Sequence, residues 1–237
     1  MAAIVGTAGA AAGCGGSDED GGDGGGLPSE SACNVQTSGL YVEYEVQEAG
    51  ATAVARAAFW IGDAPGGTSL NLAACATTIE VNGTPLASSG GSDDPNVEAT
   101  IAPAGSYAFV FTRPSEAPYT TTVSTPAPPV VTAPTSGASL SRASAFDITW
   151  DPGTGFVDLL ISGDCIWDYP NTQGDEISDS GSYTVPPNGI ESTQGGASSS
   201  CSADLSLTRR QNASVGPDLR GRAEGLAVGR MTFTSVP

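Results

Sequence analysis

A chain of 237 residues, 39% hydrophobic and only 14% charged, is long enough to bury one large core or two ordinary ones. Its eight basic residues are all arginine and it has no histidine, which excludes Ser-His and Cys-His catalysis, Schiff-base lysines, P-loops and His-ligated metals. A formal charge of −18 argues against nucleic acid as a partner, since that affinity comes from neutralising phosphates with Lys and Arg.

The N-terminal run MAAIVGTAGAAAG, residues 1–13, is made of small apolar residues and ends at Ala11-Ala12-Gly13-Cys14. It is shorter than the ~20 apolar residues that span a bilayer, and it suits the core of a signal peptide. Its ending resembles the lipobox of bacterial lipoproteins. That resemblance implies that Cys14 is acylated, becomes the first mature residue and anchors the chain to a membrane. Ala11 stands where the family usually has Leu, and no basic residue precedes the run. A truncated signal peptide, with the true start upstream of Met1, is therefore expected. Gly15 rather than Asp at the second mature position implies outer-membrane sorting by the same resemblance.

Residues 14–32 then form the expected tether. Within it, 15–26 (GGSDEDGGDGGG) hold seven glycines and four acids. Such a stretch has no apolar area to offset its ordering entropy and is expected to be disordered. The 18 residues from Gly15 to Ala32 reach roughly 23 Å root-mean-square, enough to hold a folded body clear of a membrane.

From Leu40 onward short alternating runs are separated by Gly, Pro, Asn and Asp clusters, the grammar of strands and turns. In the first half, strands are predicted at 41–47, 53–61, 77–81, 97–101, 107–112 and 119–124. Asn82-Gly83 predicts a type I′ hairpin turn, which needs positive φ at both central residues. Tyr107, Phe109 and Phe111 alternate onto one strand face and predict core. The Pro-rich stretch 125–129 reads as a stiff link running into an edge strand. Beyond it, strands are predicted at 130–133, 146–150, 157–162, 182–185, 204–209 and 223–234, the last broken near Gly229. Trp150 shares a face with Phe146 and Ile148 and predicts a core anchor.

Two units, 33–126 and 127–237, with six or seven short strands each, match the size of immunoglobulin-like sandwiches. The expected fold is all-β: two consecutive immunoglobulin-like β-sandwich domains after a disordered tether. The lipobox, the acidic Gly-rich tether and the Thr-Pro-Ala-Pro-Pro link together resemble the envelope lipoproteins of high-GC bacteria. Ala133-Pro134, Ser141-Arg142 and Ile148-Thr149-Trp150-Asp151-Pro152-Gly153 similarly resemble the opening of immunoglobulin-like or fibronectin-like domains. The resemblance carries over no catalytic residues.

Candidate sites are few. Glu43 and Glu45 lie two apart on one strand face, at the spacing a retaining glycosidase needs. Val42, Tyr44 and Val46 make the other face apolar, so a solvent-facing strand accounts for both carboxylates. The acids between Asp147 and Asp179 could ligate calcium through oxygen but match no EF-hand loop; a solvated acidic flank, partly balanced by the five arginines between Arg209 and Arg230, is the favoured reading. Trp60 sits opposite Phe59 in its strand and can face outward, and Trp60, Trp167 and Tyr169 are the candidate ligand-binding aromatics; packing of Trp60 against the neighbouring domain or under a loop is the favoured alternative. Asn212-Ala213-Ser214 fits a sequon that carries no weight in a bacterial lipoprotein. No catalytic residue, cofactor or metal is expected.

With Cys14 lipidated, four thiols remain. An even count in an extracytoplasmic chain reads as disulfides, and the Pro-rich link separates them two and two. Cys33–Cys75 and Cys165–Cys201 are therefore expected. The expected function is a membrane-anchored structural or interaction module of the cell envelope, with a protein or glycan partner. A carbohydrate- or peptide-binding module and a carboxylate-only hydrolase are the alternatives.

Overall fold

The computed structural model describes residues 29–31, 35–63, 65, 68–72, 76–88, 96–170, 176–193 and 195–237. Cys14, the tether from 14 to 28, Cys33 and Cys75 lie outside them. The described first half contains strands β1 (Ser29–Ser31), β2 (Leu40–Ala49), β3 (Thr52–Ile61), β4 (Thr68–Asn71), β5 (Thr78–Val81), β6 (Thr84–Pro85), β7 (Ala87–Ser88), β8 (Asn96–Ile101), β9 (Ser106–Thr112) and β10 (Tyr119–Ser124). The second half contains β11 (Val131–Ala133), β12 (Ser139–Ser141), β13 (Phe146–Trp150), β14 (Phe156–Gly163), β15 (Ile166–Tyr169), β16 (Glu176–Ser178), β17 (Ser182–Val185), β18 (Cys201–Ala213) and β19 (Arg220–Val236). A 3-10 turn spans Thr37–Gly39.

Sequence alternation drives the first sandwich. Val42, Tyr44 and Val46 of β2 and Ala53, Ala55, Ala57 and Phe59 of β3 turn inward against Tyr107, Phe109 and Phe111 of β9. Tyr44 stacks on Phe109 and Phe59 packs on Phe111, both at 4.7 Å between ring centroids. One sheet runs β2-β3-β8-β7 and the facing sheet β10-β9-β5-β6. In chain order this is the A-B-E-D and G-F-C-C′ arrangement of an immunoglobulin-like sandwich. Asn82 and Gly83 have φ of 48° and 78° and join β5 to β6, the expected turn. Tyr107 supplies a tyrosine corner: its buried hydroxyl accepts from Ala104 N at 2.8 Å.

The second sandwich packs β11-β13-β17 against β12-β19-β18-β14-β15. Its core holds Ile148, Trp150, Val157, Leu159, Ile161, Leu205, Leu207 and Phe233. This is again an immunoglobulin-like pairing, with β12 running parallel to β19.

The two sandwiches share a sheet. Strand β19 pairs with β18 along its length, and its first nine residues, 220–228, pair in parallel with β2 from Tyr41 to Ala49. The edge strand of each sandwich thereby covers the edge of the other, and the result is one 12-stranded sheet. The β18–β19 hairpin also overruns the expected boundary at residue 126. Leu219 and Ala223 belong to the first core, with Ala213 and Val215 packed on it, and Gly216 N donates to Thr121 Oγ1 of β10 at 2.8 Å.

Strand β19 does not break near Gly229, contrary to expectation. Gly225 and Gly229 share a strand face, and the link from Ser124 to Pro129 crosses directly over it. A Cβ on Gly225 would lie 2.1 Å from Ser124 O, and one on Gly229 would lie 1.9 Å from Pro129 O. The glycines serve close backbone approach, which is their second common use in a strand.

Candidate interaction surface

The outer face of the shared sheet carries the polar register of each strand. Glu45 of β2 ion-pairs with Arg56 of β3 at 2.8 Å, and Arg56 reaches Glu98 of β8 at 3.3 Å. Glu43 lies 2.5 Å from Arg222 of β19. Arg210 of β18 holds Asp158 of β14 at 2.8 Å and Glu224 of β19 at 2.9 Å. Glu43 and Glu45 thus each face an arginine on a neighbouring strand. A carboxylate hydrolase needs an acid with a raised pKa. The shifted carboxylates among the described residues, Glu48, Glu116 and Asp179, all move down.

The acidic segment 147–179 disperses in the same way. Asp147 accepts from Thr184 Oγ1 at 2.6 Å, Asp158 pairs with Arg210, and Asp151 and Asp179 both meet Arg209. Among the described residues no three acids or cysteines gather as a metal site.

Of the three candidate aromatics, Trp60 is not on the surface. It is 8% exposed, and the ring of its cross-strand partner Tyr41 lies over it at 6.4 Å. The parity argument put Trp60 on the right face; the cross-strand neighbour then covered it. Tyr169 is half-buried, packs on the second core, and its hydroxyl lies 2.8 Å from that of Tyr183. Trp167 is 54% exposed.

Trp167 owes its exposure to a bulge. The β14–β15 register runs Ile161 to Tyr169 and then Gly163 to Ile166, so Trp167 and Asp168 together oppose Ser162. Both are exposed while Ile166 is buried. Leu160 stands diagonal to Trp167 on the same face and is 43% exposed; Phe156, four residues back along β14, is 59% exposed. Neither was singled out in the sequence. The signal was present in Phe156-Val157-Asp158-Leu159-Leu160-Ile161, where Val157, Leu159 and Ile161 fill the core and Phe156 and Leu160 are surplus on the solvent register.

Exposed carboxylates surround this apolar strip. Asp168 shares the bulge, Asp164 lies in the β14–β15 turn, Asp204 is the cross-strand partner of Ser162, and Glu176 is that of Asp158. Glu191 is also exposed, and its carbonyl accepts from Trp167 N at 2.9 Å. No arginine among the described residues comes within ion-pair distance of these five acids.

No protein-family model matches the chain, and no curated protein matches it. Among solved structures it is similar to the fibronectin(III)-like modules of Clostridium thermocellum CbhA, with 14% identity over 83% of this chain and 93% of that one at a TM-score of 0.23. It is also similar to the paired immunoglobulin domains IG1 and IG2 of DIP-gamma, with 9% identity over 83% and 95% at a TM-score of 0.22. The sandwich assignment rests on the strand pairing above.

Proposed function

We propose that the chain is a lipid-anchored interaction module of the bacterial cell envelope, in which Cys14 carries the anchor and a rigid two-sandwich head presents a docking face. The observation that carries this reading is the exposure of Leu160 and Trp167 on adjoining strands of the outer sheet face, with Phe156 further along the same strand as Leu160. The Cys165–Cys201 disulfide supports an oxidising compartment, with 5.8 Å between Cα atoms. The sequence Ala11-Ala12-Gly13-Cys14 and the Gly-rich acidic stretch after it support the anchor and the tether.

The test is fractionation of native cells followed by mass spectrometry of the N-terminal peptide. Acylated Cys14 in the membrane fraction, with Cys14→Ser shifting the protein to the soluble fraction, is the expected result. Wild-type protein recovered soluble with an unmodified Cys14 overturns the anchor.

A further inference from the structure

We propose that the outer face of the second sandwich, centred on Leu160 and Trp167, docks a cationic polypeptide segment that carries apolar side chains. This names the partner class for the interaction module proposed above and rests on that reading.

Two features of the face define the occupant. The first is shape and polarity. Leu160 projects from one strand and Trp167 from its neighbour on an open sheet surface with Ser162 and Ser206 beside them, and Phe156 lies beyond the Asp158–Arg210 ion pair, where it lines a shallow cavity with Glu176. A flat strip of this kind suits another polypeptide's apolar side chains, which bury against it and exclude water. The second is charge. Asp164, Asp168, Asp204, Glu176 and Glu191 rim the strip without arginine partners, and the chain as a whole carries −18. Two cations share this face: Arg210, beside Phe156 and Glu176 but held by Asp158 and Glu224, and Arg230, the cross-strand partner of Ser206. The five acids outnumber the two arginines on this face, so an acidic partner would be repelled on balance and a Lys- or Arg-bearing one steered in and held at the rim. Among the described residues the other large exposed hydrophobic, Val130, lies on the link beside Pro128 and Pro129 and is separate from this face.

Trp60 and Trp150 are buried, so Trp167 is the tryptophan that acrylamide quenching reports from solvent. The experiment titrates the full chain carrying Cys14→Ser with a labelled alternating lysine–leucine decapeptide. A lysine–serine decapeptide, a glutamate–leucine decapeptide and a neutral gluco-oligosaccharide serve as parallel probes. The lysine–leucine peptide is expected to bind at least tenfold tighter than the other three and to protect Trp167 from quenching. Its binding should weaken as NaCl rises from 50 to 500 mM. Trp167→Ala with Leu160→Ser should reduce it to the lysine–serine level at an unchanged melting temperature, since both side chains are exposed. Equal binding of the two lysine peptides, untouched by the double substitution, overturns the proposal in favour of general attraction to an acidic protein. Protection of Trp167 by the oligosaccharide alone overturns it in favour of a glycan surface. Either failure leaves the acylation of Cys14 as it stands, because these titrations contain no membrane.

Discussion

Arg209 Nε donates to Asp179 Oδ2 at 2.7 Å, and the two side chains are 8% and 0% exposed. Trp150 Nε1 donates to the other oxygen of the same carboxylate at 2.7 Å, so the core tryptophan of β13, the β16–β17 connection and β18 meet at one group. Arg209 Nη1 also donates to Ala127 O at 3.1 Å, which ties the interdomain link to the second sandwich. A buried carboxylate is tolerated here because its charge is matched and its lone pairs are occupied.

Removing one partner should therefore be costly. Asp179→Asn is expected to destabilise the fold by about 3 kcal/mol, measured by urea denaturation, because it leaves the buried guanidinium with only the half-exposed carboxylate of Asp151 to balance its charge. Burial pushes the Asp179 carboxyl up, and the bonds from Arg209 and Trp150 outweigh that, so it sits below the ordinary carboxylate value. A depressed folded-state pKa contributes stability above the unfolded value of about 4, and the contribution is lost as pH falls through the folded value. The gap between wild type and Asp179→Asn should close on acidification; a gap that persists undiminished at pH 2 contradicts the assignment. Gly153→Ala should act through the same group, since its Cβ would lie 2.1 Å from Asp179 Oδ2.

The shared sheet makes the two sandwiches one cooperative unit. Calorimetry should give a single transition for the head, and residues 29–126 expressed alone should bind a hydrophobic dye and lack a sharp transition. That fragment loses β19 from the edge of β2, and Leu219 and Ala223 from its core. Gly229→Val should lower the midpoint of the whole head by several degrees, because its side chain would displace Pro129 O from β19. Two separable transitions in the wild type would show that the parallel pairing does not couple the sandwiches.

Much of this fold was legible in the sequence, and the limits are physical. Period-two alternation at 41–47 and 107–112 identified both strands and their inward faces, because burial of one sheet face imposes that period. Asn82-Gly83 announced its turn because few other residues accept positive φ twice. Pairing of β2 with β19 was not legible: nothing local to Tyr41–Ala49 encodes a parallel partner some 180 residues later. Gly229 read as a break because a glycine's absence of side chain looks the same whether it interrupts a strand or admits a crossing chain. At the candidate surface, the exposed Trp167 was found as an aromatic without a core register. Phe156 and Leu160 were hidden in a run that reads as continuous core.

Glu48 and Tyr107 fix the joint from the other side. The Glu48 carboxylate at the end of β2 accepts from the Tyr107 hydroxyl and from Gly105 N at 2.9 Å, next to the Pro-rich link. Burial and the Glu48 hydrogen bond push the Tyr107 hydroxyl up to about 12. In a spectrophotometric titration, Tyr107 should remain unionised through pH 11 in the folded protein. Glu48→Ala should cost about 1–3 kcal/mol by leaving the buried hydroxyl with one partner fewer, whereas Glu48→Gln, which still accepts, should cost less. Equal losses for the two variants would mean that packing rather than the hydrogen bond matters at this position.

The cysteines provide the remaining prediction. Cys165 and Cys201 close a loop of 36 residues between the β14–β15 turn and the start of β18. Chain entropy puts the bond at about 4 kcal/mol, so reduction or the double Ala variant should lower urea stability by up to that amount. Cys165 is buried, and Arg142 Nη1 donates to its sulfur at 3.5 Å while also holding Ser235 Oγ at 3.0 Å. In Cys201→Ala the freed Cys165 thiol should therefore stay unreactive toward a thiol reagent in the folded state and react only on denaturation. Non-reducing peptide mapping of the mature protein should recover Cys165 with Cys201 and, as the sequence reasoning expects, Cys33 with Cys75. A crossed pair such as Cys75 with Cys165 would overturn both assignments at once, because the same four thiols cannot satisfy the two patterns.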